Sequence, residues 1–385
     1  MHLCRSSKEH PKGNEVKANR FIIPAILLSL VTSFLVSQPV MKYAGSDQSL
    51  EGRWTWALGQ ESPAGRDRSF WIGYSIKRLM GADSYILSGR VSSKTMAARR
   101  SLYALVSGDS SQRDVRSRLE RWSDDHSEIF KRMKDIALLF RVERNSSGLP
   151  EVHTLDECTM DLGFDLGNTP LLWLGTASDD ESVGRLEKLF TTASSDNLKK
   201  DIVRAAGIHQ SSSLVFQFLT DVLRNGESDE VRAQAAFWIG EQDNPESLKI
   251  LLNTAEQDKS LNISEQAVYA ISRLDTDAST DALISLARSA DSPKIRGKAT
   301  FWLGQKASQK ALATLSDIIA NDEETEVQRQ ALFALSQMHG PEGVERLIKI
   351  ARTHPNPRIR KQAIQLLGNS DDPKALDALI AIVRN

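Results

Sequence analysis

In the C-terminal half of the chain, the pattern of apolar positions repeats every 32 residues. In each unit an apolar residue opens the pattern, alanine follows four positions later and leucine stands twenty positions after the opening residue. Apolar side chains zero, four, seven and eight positions after the start lie on one face of a helix. This periodicity is typical of a solenoid, in which each unit buries its apolar face by stacking on its neighbours. The units begin at Val231, Ile263, Ile295, Val327 and Ile359.

Prolines mark several helix starts in this part of the chain. Each follows a side chain that can cap a helix, and proline is favoured at the first helical position. Every unit is therefore predicted to contain two helices of about a dozen residues. Two less regular helices are predicted before the block, and an earlier unit from Leu171, because Trp173 and Gly175 align with Trp302 and Gly304. The capped starts are Asn244-Pro245, Ser292-Pro293, Asn356-Pro357 and Asp372-Pro373.

Residues 69–165 have a different pattern. The runs SFWIGYSIKR and DIALLFRVER predict strands, and NSSGLP predicts a hairpin turn before EVHTL. The stretch RDVRSRLERWSDDHSEIFKRMK has helical spacing. We therefore predict a small α+β region over 69–165. Residues 41–68 mix glycine, serine, proline and charge, and are predicted to form a linker.

The N-terminus has the pattern of a membrane-targeting segment. A basic leader, residues 1–20, precedes the apolar run Phe21–Val36. This run spans about 24 Å as a helix, and extension to Val40 reaches the thickness of a bilayer core. Because small residues are not paired before the candidate cleavage points, we predict a transmembrane anchor or uncleaved signal over 21–40. Cleavage and secretion is the alternative, and in either case the body is expected to be extracytoplasmic, or periplasmic.

The composition restricts the classes of partner and the chemistry. With 49 basic and 50 acidic residues, the chain gives no electrostatic reason to expect nucleic acid as a partner. Cys4 lies in the leader, so Cys158 is the one cysteine of the exported body and an internal disulfide is excluded there. We expect Cys158 to be a buried, inert thiol.

The repeats resemble the HEAT-repeat solenoids of the PBS-lyase HEAT-like type. Three helices open with a Val/Ile-Arg pair followed by alanine three positions later, and three end in glycine. The resemblance implies a mostly α fold, a right-handed α-solenoid of HEAT-like hairpins over 166–385. The whole arrangement is similar to exported bacterial HEAT-repeat proteins of undetermined function, which implies an envelope protein. The residues concerned are Val231-Arg232, Ile295-Arg296, Ile359-Arg360, Gly240, Gly304 and Gly368.

No catalytic or metal motif stands out in the sequence. A hydroxylase branch of the same family holds two irons with His-Glu pairs, but here Gln210, Gly340 and Pro355 follow the histidines of the repeats. A P-loop, a nucleophile elbow and a dinucleotide-binding motif are also lacking. We therefore predict no metal, no cofactor and no enzymatic activity.

One cluster of ligand-type side chains has the spacing H-x-x-D-E-C-x-x-D, from His153 to Asp161. This spacing fits no metal site that we can justify. Cys158 and His153 would make a nucleophilic pair if a carboxylate lay beside them to orient the histidine. The alternative function is thus an enzyme or small-molecule binder with its site in 69–165 and the solenoid as a recruitment arm.

Arginine occupies the second position of four helices: Arg204, Arg232, Arg296 and Arg360. These guanidinium groups could bind phosphate. The simpler interpretation is structural, with each arginine paired to an acid of the preceding turn. The acids that precede three of the repeat starts are Glu227, Asp291 and Glu323.

An aromatic side chain stands six positions after the start of four units. This position points roughly 140° away from the apolar face of the helix. The rings could pack between adjacent repeats, or they could form an exposed aromatic ladder that binds a partner. The candidate partner-binding residues are Phe237, Tyr269, Phe301 and Phe333.

Together these patterns predict a membrane-anchored, outward-facing HEAT-repeat scaffold for protein–protein interaction. We expect the second helix of each repeat to form the concave docking surface, with the aromatic residues as the rival site. The mixed charge of the second helices favours a protein partner of unknown identity. A further alternative is a signalling anchor, in which the basic leader contacts an intracellular regulator. The expected docking residues are Lys249, Asn253, Asp281, Arg288, Asp317, Glu345, Lys349 and Asp377.

Overall fold

A mixed β-sheet lies at the N-terminal end of a row of helices in the computed structural model of this chain. All described residues belong to the unit Gln38–Asn385. The mostly helical repeat array preceded by a small sheet region is as predicted. The structure describes residues 40–60, 69–81, 84, 86–87, 102–107, 131–162, 164, 166, 169–210, 212–306, 308–338 and 341–384.

The described strands form one sheet with the order β1-β5-β2-β3-β4. Strands β2, β3 and β4 pair antiparallel, whereas β5 runs parallel to both β1 and β2. The predicted hairpin is confirmed: β3 and β4 are joined through residues 145–149, where Gly148 has a φ of 79°. The strands are β1 (Val40–Lys42), β2 (Ser69–Gly81), β3 (Lys131–Arg144), β4 (Pro150–Thr159) and β5 (Leu171–Thr176).

Strand β5 corrects a prediction. Leu171–Thr176 was expected to open a helical unit, but it is an almost entirely buried strand between β1 and β2. The apolar run is only six residues long, Gly175 has a φ of 85°, and a capping box at Ser178 starts the next helix. A run this short between turn signals suits a parallel strand better than a helix. The alignment of Trp173 with Trp302 is therefore wrong.

The segment predicted as a linker contains a packed helix, α1 (Leu50–Gly59). Trp54 is buried and packs edge-on against Phe140, with ring centroids 4.9 Å apart. Arg53 donates a hydrogen bond of 2.6 Å to the carbonyl oxygen of Leu174. This part of 41–68 is thus tied into the fold rather than being a tether.

The second described helix, α2 (Leu102–Ser107), is short. The helix predicted over 113–134 lies mostly outside the described residues, and its last four residues, Lys131–Lys134, belong to strand β3. Tertiary pairing with β2 determines the conformation of these four residues, because their partners there run from Arg78 to Gly81.

From residue 179 onward the described chain is helical. The 32-residue period is confirmed, because the first helix of each regular unit begins two residues before the predicted start. The helices are α3 (Asp179–Thr192), α4 (Asp196–Ile208) and α5 (Ser213–Asn225); first helices α6 (Asp229–Gly240), α8 (Leu261–Arg273), α10 (Pro293–Gln305), α12 (Thr325–Gln337) and α14 (Pro357–Gly368); and second helices α7 (Ser247–Gln257), α9 (Asp277–Ser289), α11 (Gln309–Asn321), α13 (Pro341–Thr353) and α15 (Pro373–Arg384).

The core of the array lies between the first and second helices. The repeated alanine of each first helix is fully buried, as are the repeated leucines of the second helices up to Leu347. Leu379, in the last helix, is only partly buried. This core is continuous with one face of the sheet, so that each repeat depends on its neighbours for burial.

A buried hydrogen-bonded chain joins the sheet to the array. His209 Nδ1 donates to the carbonyl oxygen of Ala205 at 2.8 Å, so its Nε2 accepts from Ser182 Oγ, also at 2.8 Å. Ser182 Oγ in turn accepts from the hydroxyl of Tyr74, at 2.8 Å. Burial lowers the pKa of His209 to about 4, which keeps the imidazole neutral in the fold.

No helix in the described part of the chain is both long and apolar enough to cross a membrane. The predicted anchor, residues 21–40, lies outside the described residues except for Val40, which begins strand β1.

Candidate partner-binding surface

The first helices pack against one another through small residues. A Cβ atom added to Gly240 would lie 2.9 Å from the carbonyl oxygen of Ala270, and one on Gly304 would lie 2.8 Å from the Cβ of Ala334. Successive second helices make far fewer contacts with each other. The first helices therefore approach one another more closely than the second helices do. Glycine and alanine bring the first helices closer together. The expectation that the second helices form the docking surface stays a prediction.

The candidate aromatic residues lie on the first helices of four successive repeats. Phe237, Tyr269 and Phe301 are half-buried, and Phe333 is 43% exposed. In each first helix, the aromatic residue lies at the centre of the face that points away from the core. We call the set of Phe237, Tyr269, Phe301 and Phe333 the aromatic stripe.

Rings of neighbouring repeats contact one another along the aromatic stripe. The Phe237 and Tyr269 rings are nearly parallel, with centroids 6.0 Å apart. Tyr269 then contacts Trp302 at 4.8 Å, and Trp302 contacts Phe301 at 5.0 Å. Both predicted arrangements are thus present, since these rings pack between repeats and still keep part of their surface open. Whether they bind a partner stays a prediction.

Ion pairs between repeats flank the stripe on both sides. Arg273 pairs with Glu241 at 2.9 Å on one side, and Lys298 pairs with Glu265 at 3.1 Å on the other. Arg329 continues the second row with a hydrogen bond of 2.9 Å to Gln362. Sequence reasoning missed these side chains, although residues of opposite charge 32 or 33 positions apart could have revealed them. The pairs fix the helices beside the rings and leave little net charge there.

Large and small residues alternate at the position after the stripe. Trp238 and Trp302 occupy it in two repeats, and Ala270 and Ala334 in the repeats that follow them. The indole Nε1 of each tryptophan is buried without a hydrogen-bond partner among the described atoms. These tryptophans therefore act through their ring surface, and the interfaces between first helices alternate between aromatic and small-residue packing.

The arginines at the second position of the repeat motif have structural partners. Arg296 binds Asp322 at 2.8 Å, and Arg232 binds Asp258 in the equivalent place. The structural interpretation is confirmed for these two, but the predicted acids are wrong, because each partner lies 26 residues after its arginine.

The other two arginines of this set are also engaged with the protein. Arg204 binds the buried Glu157 at 2.9 Å. Burial raises the pKa of Glu157 to about 8, although the guanidinium opposes this shift. Arg360 donates a hydrogen bond of 2.7 Å to the carbonyl oxygen of His354. The phosphate-binding interpretation finds no support in these contacts.

The candidate nucleophilic pair does not form. Cys158 is fully buried and its Sγ donates to the carbonyl oxygen of Thr159, while His153 is exposed. Both lie on β4, five residues or about 16 Å apart. The prediction of a buried thiol is confirmed, and this burial raises the pKa of Cys158 to about 12, which disfavours the reactive thiolate.

No group of three or more His, Cys, Asp and Glu side chains has a metal-binding arrangement in the part of the chain that the structure describes. A cleft of about 540 Å³ lies on the second-helix side and includes Lys249 and Asn253. Its wall also contains Arg232 and Asp258, whose charges neutralise each other.

Comparison with known families identifies the repeats. The family described as HEAT repeats matches residues 216–304, 280–342 and 312–385. No curated protein matches the chain at a significant level.

Solved structures give weaker similarities. The phycocyanin lyase complex from Nostoc sp. is 18% identical, with a TM-score of 0.31, over 40% of this chain and 99% of that one. Human deoxyhypusine hydroxylase is 17% identical, with a TM-score of 0.23, over 52% of this chain and 85% of that one. These scores support no conclusion about function. The match to the family itself covers all five regular units. The five regular units of this chain are therefore HEAT repeats.

Proposed function

We propose that this chain is an interaction scaffold that binds a protein partner along the first-helix side of its array. The observation that carries the proposal is the aromatic stripe, whose rings stay partly open over four successive repeats. Solenoids bind through extended concave surfaces, and partly open aromatic rings are favoured as anchors in protein interfaces.

The surroundings of the stripe favour an uncharged, apolar contact on the partner. Glu241, Arg273, Glu265 and Lys298 are already paired with one another across repeats. A polyanion would have to compete with these pairs, whereas apolar side chains could cover the rings and leave the pairs at the rim. The fixed helices also reduce the entropy that binding would cost.

The proposal includes the location of the scaffold. The run Phe21–Val36 would anchor the chain in a membrane, with the basic leader in the cytoplasm and the array on the outer side. Secretion after cleavage is the alternative. A protease added to intact spheroplasts tests this directly: digestion of the array together with a membrane-retained leader supports the anchor, a released array indicates cleavage, and full protection contradicts outward orientation.

The interaction is tested by crosslinking in intact membranes followed by capture of the chain. The test variant carries serine at Phe237, Tyr269, Phe301 and Phe333, and its helix content is checked by circular dichroism. The matched control carries alanine at four charged positions of the second helices: Lys249, Arg288, Asp317 and Lys349.

The two variants separate the possible outcomes. A specific protein that is crosslinked to the wild type and the control, but lost from the serine variant, supports the proposal. If the alanine control loses the partner instead, the second helices form the docking surface and the proposed location is wrong. A wild-type chain with no specific crosslinked protein contradicts the scaffold function itself.

A further inference from the structure

The cleft on the second-helix side lies between helices α5 and α7. Its volume of about 540 Å³ is in the range of small-molecule sites. The two helices make few direct contacts with each other, so the cleft stays open between them. Arg232 and Asp258 also line it, but they bind each other and add no net charge. The wall residues used below are Leu223 and Arg224 of α5, and Lys249, Ile250 and Asn253 of α7.

One basic residue of the cleft lacks the acid that its counterpart binds in a later interface. Arg224 and Asn253 stand 64 residues before Arg288 and Asp317. In that later interface the arginine binds the aspartate at 3.4 Å. At the cleft, asparagine takes the place of the aspartate, and Arg224 forms no ion pair with a described residue. A carboxylate is therefore missing at this point of the cleft.

A second cation lines the cleft one helical turn before Asn253. Lys249 stands at the repeat position where later second helices carry Asp281 and Glu345, each of which binds a lysine of the next repeat. Lys249 contacts Glu246 at 3.7 Å, but both side chains of this pair are largely exposed. Such a surface pair is weak and competes little with a ligand. The cleft therefore offers two cations to an anionic molecule.

We propose that this cleft binds a small organic acid with two carboxylate groups. Residues 249 and 253 are one turn, or about 6 Å, apart along α7. One carboxylate of the ligand therefore binds Arg224 beside the Asn253 amide, and the other binds Lys249. Leu223 and Ile250 provide apolar surface for the carbon chain that joins the two groups. This site is separate from the aromatic stripe on the first helices, so each can be tested without the other.

Ligand-observed NMR of the full chain in a non-ionic detergent tests this site. The probe is adipate, whose two carboxylates are joined by a short methylene chain, and its uncharged match is adipamide. The wild type should bind adipate but not adipamide. Asn253→Asp places a carboxylate beside Arg224, as in the pair of Arg288 with Asp317, and should weaken adipate binding about tenfold or more. Arg224→Gln should weaken it to a similar extent.

The matched control is Asp317→Asn, which makes the converse change at the equivalent position and should leave the dissociation constant for adipate unchanged. Arg224 and Asn253 are both exposed, so their variants should keep the helix content of the wild type, as circular dichroism can check. A wild type that does not bind adipate, or that binds adipamide equally well, overturns the proposal. So does undiminished binding by Asn253→Asp. If a peptide with two glutamates binds in the cleft and adipate does not, the ligand is a protein segment and the proposal is wrong.

Discussion

The two rows of helices in the array pack by different means. First helices approach through glycine and alanine and carry a half-open row of aromatic rings. Second helices stand farther apart and are connected at the surface by charged pairs such as Lys310 with Asp281. The first row is therefore held by close packing, and the second row by the core that both rows share. Changes in the two rows should accordingly differ in their effect on stability.

The largest effect is expected in the shared core. Leu315 is fully buried in a central repeat, so Leu315→Ala should lower the free energy of unfolding by about 2–5 kcal/mol. Leu379, at the same repeat position in α15, is only partly buried, and Leu379→Ala should mainly fray the end. Urea unfolding of both variants measures the difference. Equal losses would show that the array does not behave as a row of neighbour-dependent units.

The next largest effect concerns His209, which caps the C-terminus of α4 where the sheet meets the array. The imidazole has a pKa of about 4 in the fold and about 6.5 when unfolded, so it is neutral in both states above pH 6.5. As the pH falls from 6.5 towards 4, only the unfolded chain gains the proton. Stability should fall by roughly 3 kcal/mol over this range.

Comparison with His209→Gln isolates this effect from the titration of carboxylates. Thermal unfolding of both proteins at pH 7.5 and pH 4.5 is the measurement. The variant should lose less stability than the wild type between these two values. Parallel losses in the two proteins would mean that His209 does not stay neutral in the fold.

A smaller effect tests the close approach of the first helices. Gly304→Ala places a methyl group against Ala334 and should cost about 1–3 kcal/mol, although alanine favours helix. Gly368 has the same repeat position, but nothing lies within 4 Å of its added Cβ. Gly368→Ala should therefore be neutral or slightly stabilising. Calorimetric melting of both variants decides whether close packing, or merely the presence of glycine, matters.

The smallest effects distinguish the ion pairs of the two rows. Asp322 is only 6% exposed and binds Arg296, so Asp322→Asn should cost about 1–2 kcal/mol. Lys310→Ala removes a solvent-exposed pair with Asp281 and should produce no measurable change. Chemical denaturation at low and high salt is the measurement. If removal of Lys310 destabilises the chain as much as removal of Asp322, the outer row depends on its charges more than the structure indicates.

How well the sequence predicts the fold depends on the distance between contacting residues. In the array, Ala299 and Leu315 find their partners in the same or the adjacent repeat, so a local period is sufficient to place them. In the sheet, β5 pairs with β1 and places Leu171 beside Val40, far away in the chain. A run such as LLWLGT carries no local sign of that partner, and its likeness to FWLGQ was misleading.

The candidate surface was predictable in part for the same reason. The angular position of Phe237 and its equivalents follows from helix geometry, and the structure finds these rings on the face turned away from the core. How closely two helices approach depends on which residues meet between them. The small side chains at Gly240 and Ala270 allow a close approach, but the sequence does not show that these two residues meet. The close approach of the first helices was therefore not predicted.

The alternation of tryptophan with alanine has a consequence for how this array could grow or shrink. Because Trp238 and Trp302 recur 64 residues apart, the unit that duplicates without disturbing an interface is a pair of hairpins. Inserting a single hairpin would put two bulky or two small faces together, leaving either a clash or a void. A chain engineered or evolved to another length should therefore gain or lose hairpins in even numbers.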